Sequence, residues 1–283
     1  MTSLANPLAI AVFDIDGVLR DVGNSYRRAL ADTVEEFTGG SYRPALEEID
    51  QLKGEGLWNN DWEGSQELVY RYFEGQGQSR GEIALDYDQI VEFFQRRYRG
   101  PNPADPDQWT GYITQEPLLV DAEYFEGLTR DRIAWGFFSG ATQGSARFVL
   151  ERRLGLSNPV LVAMEDAPGK PDPTGLFTVV DTLTKRQDLP PNLPVIYAGD
   201  TVADMQTIVQ ARQKEQARQK EQAKQKDSAQ RRWLGVGVLP PHVVAGEEAY
   251  RQTYSDGLKK AGANRVIDHV TDLTAACLEG LLG

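Results

Sequence analysis

Six short apolar runs punctuate the chain, at residues 9–13, 133–138, 160–163, 195–198 and 233–238, with a weaker one at 265–267. Each is brief, rich in β-branched or aromatic residues and closed by turn formers, the pattern of strands covered on both faces. Between and after them lie stretches of helical character, at 142–154, 174–184, from Val202 onward, 247–260 and 273–282. Strand–helix alternation of this kind predicts an α/β fold, a doubly wound parallel sheet with helices on both faces. Such sheets place ligands at the carboxyl ends of their strands. Polar and potentially reactive side chains follow each of the first four runs within a few residues.

The alternation is broken once. Between Leu19 and about Glu116 no buried-strand pattern occurs. Helix-like segments at 26–37, 46–51, 64–73 and 88–98 are separated there by Gly, Pro and Asn clusters, and Pro101, Pro103 and Pro106 mark an irregular return. The expectation is a helical domain over 21–116 inserted into a core made of 1–20 and 117–283.

A second irregularity covers 211–230, where Arg212–Ala217 and Arg218–Ala223 both read RQKEQA and Lys224–Ala229 reads KQKDSA. These are strong helix formers with no apolar stripe, so residues 206–232 read as a polar, basic helix extension. That stretch carries eight Lys or Arg and three acids, +5 against −17 for the rest of the chain. It is either a solvated extension or a docking surface for an acidic protein partner.

The overall charge of −12 over 283 residues argues against general nucleic-acid binding, which needs a basic surface. A single cysteine, Cys277, and two histidines exclude disulfide frameworks and Cys- or His-based metal clusters. Chemistry must rest on carboxylates, hydroxyls and lysine. No run reaches the ~18 apolar residues of a membrane span, and residues 1–7 lack the basic start and long apolar middle of a secretory signal. A cytoplasmic location without membrane contact is the expectation.

Four short motifs carry candidate chemistry. Phe13-Asp14-Ile15-Asp16-Gly17-Val18-Leu19 leaves the first strand with two carboxylates that alternation can point the same way, while Gly17 permits a tight turn. Paired acids there can act as nucleophile and acid/base or hold a hard cation. Ser139, followed by Gly140, sits where a strand meets a helix; it can hold a phosphate at the positive helix end or simply cap the helix. Lys170 lies in Gly169-Lys170-Pro171-Asp172-Pro173, where the prolines restrict the backbone. Asp200 and Asp204, four residues apart in Gly199-Asp200-Thr201-Val202-Ala203-Asp204, can face one cavity.

In order and spacing these motifs resemble the haloacid dehalogenase superfamily, in its phosphatase branch with a helical cap inserted after the first motif (subfamily I, IA-like). The resemblance spans nearly the whole chain. It implies a Rossmann-like core and a magnesium-dependent phosphatase acting on a small phosphorylated metabolite. By the resemblance, Asp14 is the nucleophile and Asp16 the proton donor and acceptor. Mg2+ is held by the Asp14 carboxylate, the Asp16 main-chain carbonyl and Asp200, fitting that ion's preference for oxygen. Ser139, Gly140 and Lys170 hold the phosphoryl oxygens, and Asp204 stands just outside the metal. Asp16 argues against the dehalogenase branch, whose leaving group needs no proton. Phosphosugar mutases share these motifs and stay open as an alternative, as does a catalytically idle member binding a partner through 211–230. Substrate choice would fall to the cap stretch 53–62, with Lys53, Asn59, Asn60 and Trp62 as candidates, and Arg20 could meet a second anionic group.

Overall fold

The computed structural model describes residues 5–58, 60–222 and 231–283. The chain forms two compact units, one from Met1–Arg20 with Leu118–Gly283 and the other from Asp21–Pro117.

The first unit is built on six parallel strands: β1 (Ala9–Phe13), β2 (Ile133–Phe138), β3 (Leu161–Val162), β4 (Val195–Gly199), β5 (Trp233–Val238) and β6 (Arg265–Ile267). Their spatial order is β3-β2-β1-β4-β5-β6. After β1 the chain winds outward through β2 and β3, then returns to the other side of β1 for β4. The winding direction reverses between β1 and β4, the place where sheets of this type open a crevice at their carboxyl ends.

Strand β1 shows why its sequence belongs at the centre. All five of its residues are buried, and the two-residue period divides them between the faces. Ala9, Ala11 and Phe13 join one apolar core; Ile10 and Val12 join the other. A helix over Ala122–Arg130 (α5 in chain order, after four helices of the second unit) covers the first face with Phe125 and Leu128, helped by Ala146, Val149, Leu150 and Leu278. On the opposite face the helix Thr174–Gln187 (α7) contributes Leu176, Val179, Val180 and Leu183, and the helix Val202–Gln222 (α8) adds Ile208 and Ala211. Each buried Val, Leu, Ile or Phe among them contributes about 1.5–3 kcal/mol.

Helix 122–130 is absent from the sequence expectation. Asp121 starts it, its carboxylate accepting the Tyr124 amide at 3.0 Å, and at nine residues with Gly127 inside it is short for a helix read from sequence. The segment expected as one helix over 142–154 divides into α6 (Gln143–Arg147) and a wider π-helical turn, Phe148–Arg153. Helix α8 does extend into the polar repeats. Among its described side chains the last buried one is Ala211, and next to it Arg212 turns back to donate to the Trp233 carbonyl at 2.8 Å. Residues 223–230 of the repeat stretch lie outside the described residues. The remaining helices of this unit are α9 (Pro241–Val244), α10 (Glu248–Ala261) and α11 (Ala275–Leu282). Among the described residues no helix is long and apolar enough to cross a membrane.

The second unit holds α1 (Tyr26–Phe37), α2 (Leu46–Gly54), α3 (Asp61–Gly75) and α4 (Tyr87–Tyr98). Tyr26 packs edge-on against Phe94 and Tyr98, with centroids 5.1 and 4.7 Å away, joining α1 to α4. A buried Arg27–Asp50 ion pair ties α1 to α2.

Candidate active site

The carboxyl ends of β1, β2 and β4 bring the motif residues of the first unit together. Asp14 follows β1 directly, its amide donating to the Ala198 carbonyl at 2.9 Å, so its place is set by the β1–β4 ladder. Ser139 follows β2 with its amide on the Val162 carbonyl (3.0 Å) and its hydroxyl accepting the Ala141 amide (3.1 Å). Asp200 follows β4, and Tyr254 donates to its main-chain carbonyl at 2.9 Å. Asp14, Ser139, Lys170, Asp200 and Asp204 are all buried.

Lys170 is the hub. It arrives on the loop before α7, whose first turn comes close to Phe138 because Gly175 has no side chain there to strike that ring. The ammonium lies 2.9 Å from Asp14 Oδ1 and 2.6 Å from Asp204 Oδ1. The rings of Phe138 and Tyr197 lie 5.3 and 5.4 Å from it, in cation–π range. A lysine so enclosed cannot wander as a surface lysine does.

Asp204 explains how Lys170 is held. Its Oδ1 accepts from Lys170 and from the Tyr197 hydroxyl at 2.7 Å. Its Oδ2 accepts from the Thr201 amide and hydroxyl at 2.9 and 2.6 Å. A carboxylate has about four acceptor sites, so this one is fully engaged by protein donors. Burial works to raise its pKa, but Lys170 and the bonds from Thr201 and Tyr197 outweigh that and hold it below the ordinary range. Tyr197 and Thr201 are the partners the sequence did not reveal. The tyrosine read as one more buried strand residue, although a buried phenol needs an acceptor and Asp204 lies one strand end away.

Asp14 behaves differently. Burial pushes its carboxyl up to about 7, and Lys170, shared with Asp204, only partly offsets that. Burial also pulls Lys170 downward, yet Asp14 and Asp204 together raise its pKa and keep it charged.

Oxygens of Asp14, Asp200 and Asp204 all lie within 4.8 Å of one another. With Lys170 as the shared counter-charge, this dry cluster keeps an excess of negative charge, which is costly unless a cation neutralises it. The donors are all oxygen, which suits a hard divalent ion. Gly17, at φ 76°, adds to the fit: any side chain there would collide with the Asp200 carboxylate. Asp14 and Asp200 stand at the ends of the adjacent strands β1 and β4, where such an ion would lie.

A pH dependence follows. Between the ordinary value of 3.8 and about 7, folded Asp14 keeps a proton that the unfolded chain has lost. Its contribution to stability is therefore full below pH ~4 and is lost as pH rises through ~7. Thermal melts of the metal-free protein are expected to show this fall between about pH 4 and 7, and Asp14→Asn is expected to flatten it. Because a cation must displace the Asp14 proton, added Mg2+ is expected to raise the melting temperature more at the upper end of that window.

Arg20 has no exposed surface, and its Nε and Nη2 lie 2.6 and 2.5 Å from one oxygen of Asp16, Oδ1. In the second unit, Lys53 pairs with Asp61 at 2.6 Å. Asn60 caps α3, accepting the Trp62 amide at 3.0 Å. The Trp62 indole N–H is buried without a hydrogen-bond partner. Asn59 lies outside the described residues.

Comparison with known proteins adds three findings. Residues 8–212 match the family model of the haloacid dehalogenase-like hydrolases. The chain is 26% identical over 182 residues to a curated protein of Phytophthora nicotianae named imidazoleglycerol-phosphate dehydratase, covering 64% of this chain and 37% of that one. The chain thus spans little more than a third of that relative. Among solved structures, a phosphonoacetaldehyde hydrolase-like protein from Oleispira antarctica superposes with a TM-score of 0.62 at 16% identity, covering 100% of this chain and 95% of that one. Phosphatase Tt82 from Thermococcus thioreducens gives 0.54 at 24% identity, over 72% and 88%. These two likenesses are of fold.

Proposed function

The chain belongs to the haloacid dehalogenase-like hydrolases, and on that premise we propose that it is a magnesium-dependent phosphatase of a small phosphomonoester. The observation that carries this reading is the Lys170 ammonium set between Asp14 and Asp204, with Asp14 at the end of β1. Such an arrangement offers a carboxylate nucleophile beside a fixed positive charge that can receive phosphoryl oxygens.

In this reading an Asp14 oxygen attacks phosphorus and forms an aspartyl-phosphate. Asp16 gives a proton to the departing oxygen, then takes one from the water that hydrolyses the intermediate. Lys170 and the Ser139–Gly140 turn hold the equatorial oxygens, where charge gathers in the transition state. Asp204 keeps Lys170 in place. Asp14, the Asp16 main-chain carbonyl and Asp200 would hold Mg2+, which supplies charge neutralisation. That neutralisation is needed. With Asp16 carrying the proton it donates, three carboxylates still meet a substrate bearing about two negative charges, and Lys170 with Arg20 returns only two positive ones.

The substrate class is tested by phosphate release from a panel of phosphomonoesters, with and without Mg2+. Sugar phosphates and phosphoglycolate belong in it, and so do phosphorylated imidazole compounds, because of the name of the Phytophthora relative. The expected outcome is metal-dependent turnover concentrated on one class of ester. Silence across the panel with Mg2+ present would reject the reading.

A further inference from the structure

The buried arginine at the end of the first motif has no part in the mechanism above except as charge. We infer that Arg20 is a positioning residue for the Asp16 carboxylate, directing proton exchange to a single oxygen. The inference rests on the phosphatase reading, in which Asp16 serves the leaving group.

The geometry is specific. Two guanidinium nitrogens, Nε and Nη2, converge on Asp16 Oδ1 at 2.6 and 2.5 Å. With Oδ1 occupied, Oδ2 is the oxygen left to carry the proton. The Asp16 side chain keeps 22% of its surface while Arg20 keeps none, so the arginine lies behind the carboxylate and not in front of it.

Its own position is fixed by the main chain. The Arg20 carbonyl accepts the Gly17 amide at 3.0 Å, its amide reaches the Ile15 carbonyl at 3.3 Å, and it bridges Leu118 in antiparallel fashion. The Leu119 amide donates to the Leu19 carbonyl at 2.8 Å, and Ile15, Val18 and Leu19 are fully buried around this turn. A rigid five-residue loop thus carries both the acid and the cation that aims it.

Stability alone does not account for such a pair. A buried ion pair is often no better than apolar side chains of the same volume, because both charges must first be stripped of water. The benefit falls on the carboxylate. A charge-assisted bond to a fixed guanidinium removes rotamer freedom from the group that must meet the leaving oxygen. In the first half-reaction the Asp16 O–H bond breaks and its proton passes to the leaving oxygen, which keeps the electron pair of the broken P–O bond. In the second, the same Asp16 oxygen takes a proton from water as that water's oxygen bonds to phosphorus and releases Asp14.

Proton delivery matters most when the leaving group is a poor one. Full-length protein with Mg2+ is therefore assayed on p-nitrophenyl phosphate, whose leaving group needs little help. The comparison substrate is phenyl phosphate, whose phenol ionises near 10, as tyrosine does. The readout is the ratio of the two kcat/KM values, which is independent of how much of a variant is folded. Asp16→Ala is expected to raise the preference for p-nitrophenyl phosphate over phenyl phosphate strongly. Arg20→Met is expected to shift the ratio in the same direction by about tenfold or more, the scale on which misplacing a catalytic group acts. Arg20→Lys, which keeps a cation, is expected to recover part of the shift, and Arg20→Gln serves if Arg20→Met does not accumulate. An equal fall on both esters in the Arg20 variants, with Asp16→Ala still selective, would overturn this inference and leave the phosphatase reading intact. Absence of selectivity in Asp16→Ala would remove the proton-transfer step, and the inference with it.

Discussion

Asp14→Asn is expected to lower kcat for any phosphomonoester by about 10⁴-fold or more, the scale seen when a covalent nucleophile is removed. The amide is nearly isosteric, so the fold should persist. Burial pushes the Asp14 carboxyl up to about 7, so asparagine, neutral like protonated Asp14, does not add an unmatched charge. The loss should appear in kcat at saturating substrate and Mg2+, because Ser139 and Lys170 still hold the phosphate. Steady-state phosphate release beside a thermal melt separates lost chemistry from lost fold. A variant that keeps a tenth of the parent rate would mean that Asp14 is not the attacking group.

Lys170→Met is expected to have the second largest effect, on two observables. Removing the ammonium leaves Asp14 and Asp204 buried together without their shared partner. Breaking a buried pair in this way costs about 3–5 kcal/mol. Part of that cost should be offset by Mg2+, whose charge can neutralise Asp14. The rate should fall by about 10²–10³-fold, as when one fixed stabiliser of transition-state charge is lost. Denaturant melts with and without Mg2+, together with kcat, check both. A variant as stable as the parent without metal would contradict the clamp geometry.

Much of the first unit was readable because its strands are buried on both faces and so appear as short uninterrupted apolar runs. The run at residues 9–13 and its neighbours at 133–138 and 233–238 coincide with β1, β2 and β5. The acids and hydroxyl at the ends of β1, β2 and β4 stood out because each directly follows a buried apolar run. Other features depend on chain segments far apart in sequence. Arg20 follows Leu19 as an ordinary charged residue, and only the bridge to Leu118, nearly a hundred residues on, shows that it is enclosed. Tyr197 looks like strand filling until its hydroxyl is found on Asp204. Helix 122–130 is only nine residues long and holds an internal glycine, so it fell short of the length expected of a helix. In the second unit, the loop glycines and amides around 53–62 suggested a binding stretch. The contacts seen there, Lys53 with Asp61 and Asn60 at the start of α3, are those that organise the unit itself.

The site reading comes down to which atom receives the phosphoryl group. Protein is mixed with Mg2+ and its best ester, quenched in acid within one turnover, digested and analysed by mass spectrometry. The account predicts one added phosphoryl group on the peptide that contains Asp14, absent from the Asp14→Asn variant. A phosphoryl group on any other residue, or rapid turnover with none trapped while a control aspartyl-phosphate survives the same quench, would contradict it.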